Sequence, residues 1–289
     1  MALNIDTIMN WPFADVSHHY SQRDTILYAL GVGAATANPL APEDLQFVYE
    51  RKLAALPTMA VTLAGPGPWL GRPETGVTIA KLLHGEQYLS IHKPLPAEGT
   101  LLGRDRVVAI YDKGPDKGAV IYQARDIRDQ ASGELLATTT MGFFLRADGG
   151  FGGSDAGQPK PHPLPAERAV DAFIDLPSRP EQAAIYRLSG DYNPMHLDPR
   201  AAAAAGFDKP ILQGLCSYGF ACRAVIKLLC GDDPSRLRTL NVRFASPVYP
   251  GETLRTEVWR EGPGRAAFRV KVVERDLVVL TNGLAEYTP

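Results

Sequence analysis

Pro210-Ile-Leu-Gln-Gly-Leu-Cys-Ser-Tyr-Gly-Phe-Ala-Cys-Arg-Ala-Val-Ile-Lys-Leu-Leu229 is apolar on almost every face. A helix of that pattern has no side to give to water, so the stretch predicts a helix buried along its length, with proline near its start and Gly231 just past its end. The chain then changes period. The segments LRTEVWREG from Leu254, AAFRVKVVER from Ala266 and LVVLTNGLAEY from Leu277 are short, alternate in polarity and are separated by Gly or Asp. That is the pattern of consecutive antiparallel strands. A buried helix wrapped by an antiparallel sheet makes the expected class α+β.

Working outward, the sharpest compositional break is GGFGGSDAGQPKPHPLP, Gly149 to Pro165, where Gly and Pro interrupt any regular element. It reads as a linker between halves 1–148 and 166–289, and the halves resemble each other. Tyr28-Ala29-Leu30 answers Tyr186-Arg187-Leu188, and Lys93-Pro-Leu-Pro-Ala-Glu-Gly-Thr-Leu101 answers Ser246-Pro-Val-Tyr-Pro-Gly-Glu-Thr-Leu254, at offsets of 158 and 153 residues. Two matches at nearly one offset predict a duplication, hence a double hot-dog with two antiparallel sheets, each around its own central helix. Leu56 to Ala64 is the shorter candidate for the first half's helix.

With 289 residues, 45% of them hydrophobic, the chain is long enough to bury a sizeable core. Its formal net charge of −2 offers no basic field, which speaks against nucleic acid and anionic membranes as partners. Cys216, Cys222 and Cys230 are odd in number and lie in an apolar stretch without metal-ligand spacing, so they read as reduced core residues and no metal site is expected. No secretory leader, membrane span or peroxisomal Ser-Lys-Leu ending is visible, and the expected location is cytoplasmic.

The polar residues that point to chemistry lie in YRLSGDYNPMHLDPRAAAAAGFDKPILQGLCSYG, Tyr186 to Gly219. Pro194 stands between Asp191 and His196, so both lie in a turn, where side chains on a rigid scaffold can converge. Asp191 and Asn193 could be turn formers alone. Downstream, however, Gly214 falls in the first turn of the predicted helix, where free N–H groups stabilise developing negative charge and a glycine admits a ligand. An acid, a base, an amide and an oxyanion donor suit addition of water across a thioester-activated double bond, with no metal or cofactor. His196 can take the proton of the attacking water, Asp191 can deliver one to C2, and Asn193 can orient the water.

The whole segment resembles the hydratase motif of the MaoC-like (R)-specific enoyl-CoA hydratases, especially the hydratase 2 part of the peroxisomal multifunctional enzyme. The likeness extends through Tyr28-Ala-Leu-Gly-Val-Gly-Ala34, Phe47-Val-Tyr-Glu50, Leu83-His-Gly-Glu-Gln-Tyr88, Gly206-Phe-Asp-Lys-Pro-Ile-Leu212 and Arg243-Phe-Ala-Ser-Pro-Val-Tyr-Pro-Gly251. It implies an acyl-CoA or acyl carrier protein thioester as substrate, the pair Asp191 and His196, water held by Asn193 and the thioester oxygen held by the Gly214 amide. It further implies ligand contacts at His84, Gly85, Lys113 and Phe244, with Tyr28, Glu50 and Tyr186 supporting the site or its acyl tunnel. Gln213 departs from the pattern, since close relatives usually carry His there. Because the duplicated halves pair within one chain, homodimerisation is compatible with this reading but not required.

Aligning Tyr28 with Tyr186 sets Gly33 opposite Asp191, so the first half is expected to lack the acid/base pair and to widen its helix region to hold a bulky acyl chain, which would explain the Gly- and Pro-broken stretch Gly65 to Pro73. A hot-dog thioesterase would instead release free CoA, and a CoA-ester binding protein would turn nothing over. Gly31-Val-Gly-Ala-Ala-Thr36 imitates a dinucleotide fingerprint, but it lacks the third glycine and follows DTILYAL, which reads as helix.

Overall fold

In the computed structural model, which describes residues 3–36, 38, 41–165 and 167–289, ten strands form one continuous sheet. Strands β1 (Val16–Tyr20), β2 (Leu82–Ile91), β3 (Gly99–Asp112), β4 (Ala119–Asp129) and β5 (Leu135–Leu145) belong to the first half. The second half supplies β6 (Ala172–Pro177), β7 (Leu237–Phe244), β8 (Thr253–Gly262), β9 (Arg265–Val272) and β10 (Leu277–Tyr287). Their order is β1-β3-β4-β5-β2-β7-β10-β9-β8-β6. From either edge inward the order is the same, so the halves are related by a pseudo-twofold axis between β2 and β7.

The α+β double hot-dog is as expected, but its two antiparallel sheets are joined edge to edge at that axis into one. Strands β2 and β7 pair antiparallel from Glu86↔Arg243 to Ser90↔Thr239, which removes an edge from each half and merges them. The expected boundary residue 166 lies outside the described residues.

Helices α1 (Ile5–Met9), α2 (Gln22–Gly31), α3 (Pro42–Val48), α4 (Gln182–Tyr186), α5 (Pro199–Ala204) and α6 (Gly214–Leu229) complete the chain. The buried helix α6 starts at Gly214, not Pro210, because the Leu212 N–H donates to Val248 O at 2.7 Å and holds the preceding residues against the sheet. Twelve of its sixteen residues are buried, as the apolar pattern requires. In the first half, Leu56 to Ala64 forms only a 3-10 turn, Pro57–Thr62, since Ala64 turns into a left-handed conformation (φ 52°) ahead of Gly65.

The α2 and α4 helices, which follow β1 and β6, are equivalent in the repeat and pack against each other. Gln182 Nε2 on α4 donates to the last carbonyls of α2, Leu30 and Gly31, at 3.0 and 2.6 Å. Arg223 on α6 donates to Val32 O at 3.2 Å and pairs with Asp44 on α3 at 2.9 Å. These buried bonds satisfy carbonyls that a helix end leaves unpaired, and they lock the two halves together.

The Gly149 to Pro165 linker is tied down along much of its length. The Asp112 carboxylate accepts N–H groups from Gly114, Gly150, Gly152 and Gly153 at 2.7–3.1 Å. Further along, Asn282 Nδ2 donates to His162 O at 2.8 Å. The segment is a strap over the outer face of the sheet.

Candidate active site

The turn that carries Asp191, Asn193 and His196 is built from backbone rules. Helix α4 ends at Tyr186, and a 3-10 turn, Arg187–Ser189, closes on Gly190 at φ 115°, a conformation that favours glycine. Asp191 follows. Its Oδ1 accepts the Asn193 N–H at 3.2 Å, and Asn193 Oδ1 accepts the Met195 N–H at 3.2 Å, capping the short turn Pro194–His196. Both bonds are local side chain-to-backbone contacts of the kind Asp and Asn form in turns.

The second carboxylate oxygen, Asp191 Oδ2, is left facing His196 Nε2 at 3.7 Å. The other ring nitrogen, Nδ1, sits 2.9 Å from Ile211 O. A carbonyl can only accept, so Nδ1 is the donor in that bond and Nε2 is the ring nitrogen that faces Asp191. The imidazole is almost fully buried, whereas the Asp191 side chain is 38% exposed, so the pair opens to solvent on the acid's side.

Ile211 lies three residues before Gly214, so the bond that fixes the imidazole also ties the turn to the start of α6. The Gly214 N–H, at the first helical position, has no acceptor among the described residues. A Cβ on Gly214 would lie 3.1 Å from Phe244 Cε1, so a side chain here would press on the Phe244 ring of β7. The Phe244 ring meets His84 edge-on at 5.0 Å between centroids, and His84 lies 5.6 Å from Phe143. Gly85 occupies the bulge in β2 where register shifts between His84 and Glu86.

His84 Nε2 donates to Glu86 O at 3.1 Å, and burial pushes its pKa down to about 4 from 6.5. Between those values the unfolded chain binds more protons at this residue than the folded one. His84 therefore favours folding less and less as pH falls from 6.5 to about 4. An NMR titration is expected to show its ring neutral down to pH 5, and a midpoint near 6.5 would contradict the burial. Beside it, Glu86 Oε2 accepts the Tyr88 and Tyr122 hydroxyls at 2.9 and 2.6 Å, and Oε1 receives Arg243 Nε at 3.1 Å. This braces the β2–β7 junction under the site.

Asp191, Asn193 and His196 thus meet in one turn, and Gly214, Phe244, His84 and Gly85 gather around the start of α6. Tyr28 and Tyr186 lie behind them, fully buried with ring centroids 6.2 Å apart, and burial raises both phenols far above their usual range. Two expected residues are not brought in. Glu50 is exposed just after α3, whose Asp44 and Gln46 bind the C-terminal half of α6 and Asp232 beyond it, away from Gly214. Lys113 lies in the β3–β4 hairpin, where its Nζ donates to Gln158 of the strap at 2.9 Å. The Ile211 carbonyl was not foreseeable, because a backbone acceptor leaves no signature in the residue types.

The fold and this site define a hot-dog protein with an Asp/His turn beside a helix N-terminus, and the comparisons narrow that class. Residues 162–283 match the MaoC like domain and residues 18–147 the MFE-2 hydratase 2 N-terminal domain. The chain belongs to the MaoC-like family, in the hydratase 2 type whose two halves these domains describe. It is 44% identical to 3-hydroxyacyl-thioester dehydratase Y of Mycobacterium tuberculosis over 93% of both chains. It is 42% identical to the peroxisomal multifunctional enzyme type 2 of Mus musculus over 94% of this chain but only 37% of that enzyme's length. Among solved structures, a MaoC-like dehydratase from Phytophthora capsici superposes with a TM-score of 0.87 at 38% identity, covering 99% of each chain. No helix among the described residues is long and apolar enough to cross a membrane.

Proposed function

We propose that this chain is an (R)-specific 2-enoyl-CoA hydratase, adding water to trans-2-enoyl-CoA to give (3R)-3-hydroxyacyl-CoA, or catalysing the reverse dehydration. The observation that carries this reading is the fixed imidazole, with Nδ1–H on Ile211 O and Nε2 aimed at Asp191. Bound in this site, the thioester oxygen accepts the Gly214 N–H, which stabilises the enolate-like charge that forms as water attacks C3. His196 Nε2 takes the water's proton while Asp191 delivers its own to C2. The site ends each turnover as it began when His196 Nε2 hands that proton on to the Asp191 carboxylate, for which the 3.7 Å separation must close to hydrogen-bond distance.

Asn193 Oδ1 accepts the Met195 N–H, and its Nδ2 can donate to the oxygen of the water and so orient it. The N-terminal half supplies walls and no protons. The residue opposite Asp191, Gly33, is covered by Phe220, whose ring atoms would lie 2.4 Å from any Cβ there. Incubation with crotonyl-CoA tests the reading. Loss of enoyl absorbance with the thioester intact is expected, and release of free CoA without a hydroxyacyl product would show a thioesterase instead.

A further inference from the structure

The strap that crosses the outer face of the sheet does not lie flush on it. Between its segment Lys160–Pro163 and strands β2, β7 and β10 is a cavity of about 300 Å³, at the small end of the range of ligand pockets. Leu240 and Val242 of β7 pack in the main core with α6, so the alternate residues Asn241 and Arg243 face the strap. The backbone of β7 therefore separates this cavity from Gly214, and neither Asp191 nor His196 lines it.

The carboxylates beside the cavity are already spent. Glu86 holds the Tyr88 and Tyr122 hydroxyls and Arg243 Nε, and Glu261 pairs with His162 Nε2 at 3.0 Å and Arg265 Nε at 3.3 Å. The cations are not. Lys160 Nζ has no hydrogen bond or ion pair among the described residues. Arg243 meets Glu86 through Nε, which leaves its Nη nitrogens without a hydrogen-bond acceptor among the described residues. Two bordering amides are each half used. Asn241 Oδ1 accepts the Leu89 N–H at 3.3 Å, leaving Nδ2 as a donor. Asn282 Nδ2 donates to His162 O at 2.8 Å, leaving Oδ1 as an acceptor. A β10 irregularity between Leu280 and Gly283, with φ 54° at Asn282, turns that side chain to the strap. Pro161, Pro163, Leu284 and the Tyr88 ring supply the apolar wall.

We propose that this cavity binds a phosphorylated nucleoside, its phosphate on Lys160 and Arg243 and its base among the prolines, Leu284 and Tyr88. Phosphate oxygens only accept, which suits an unpaired ammonium and the open side of a guanidinium. A base offers apolar faces and an edge of donors and acceptors, which suits the open Asn241 donor and Asn282 acceptor. A bare inorganic anion would leave the apolar wall and the Asn282 acceptor unused. Two sources carry the required chemistry, a free mononucleotide and the nucleotide end of coenzyme A.

Calorimetric titration of wild type and Lys160→Glu with AMP, adenosine and inorganic phosphate tests the site. Lys160 is exposed on the strap, away from the Asp191–His196 turn, so the variant should fold, and a thermal melt checks this. AMP is expected to bind at one site per chain, more tightly than adenosine or phosphate. Lys160→Glu should weaken it at least about tenfold, the worth of one charge-assisted hydrogen bond. No saturable binding up to about 1 mM AMP, phosphate binding as tightly as AMP, or AMP binding untouched by Lys160→Glu would each overturn the proposal. Repeating the AMP titration with saturating coenzyme A separates the sources. Displacement assigns the cavity to the coenzyme's nucleotide end, and undiminished AMP binding assigns it to a free nucleotide.

Discussion

Asp191→Asn is expected to lower kcat for enoyl-CoA hydration by about 10²–10⁴-fold, the usual contribution of a positioned general acid. The substitution is nearly isosteric. An Asn oxygen can still accept the Asn193 N–H that Asp191 Oδ1 accepts at 3.2 Å, and the side chain lies in a partly exposed turn outside the core. Folding should therefore change little, and a thermal melt run beside the steady-state assay separates a chemical loss from a structural one. The amide has no proton to lend at C2 and cannot recover one from His196. Turnover near the wild-type rate in a normally folded variant would remove Asp191 from the mechanism.

His196→Gln should cost about as much, for a complementary reason. A glutamine amide can imitate the N–H that His196 Nδ1 offers Ile211 O, so the tether between the turn and α6 is preserved in kind. What is lost is the lone pair at Nε2. With Asp191, Asn193 and Gly214 unchanged, the thioester should still bind, so kcat should fall much more than KM rises. A variant that loses affinity while keeping kcat would make His196 a binding residue, and the proton acceptor would have to be sought elsewhere.

The parts of this protein that could be read from sequence are those whose physics is local. The burial of α6 follows from twenty residues without a polar face, and strands β8, β9 and β10 follow from their alternation. The Asp/His turn is legible because Pro194 forbids a helix there. Three features depended on contacts between distant segments. Helix α6 starts four residues late because Leu212 docks on Val248. The two half-sheets merge because β2 finds β7. The buried Asp105–Arg125 ion pair shows itself only through the pairing of β3 with β4, which sets the two residues side by side. Glu50 and Lys113 rested on the family resemblance alone, and here the first lies away from the site while the second is directed to the strap.

Hydration in deuterated water tests the central claim, that acid, base and oxyanion donor act together on one bound enoyl group. Asp191 and His196 come from one short turn and face each other, so both proton transfers should occur on the same side of the planar substrate. Deuterium at C2 of the product records the face of protonation, and chirality at C3 records the face of water attack. The account predicts syn addition and a (3R)-3-hydroxyacyl-CoA product. Anti addition, or a mainly (3S) product, would contradict it.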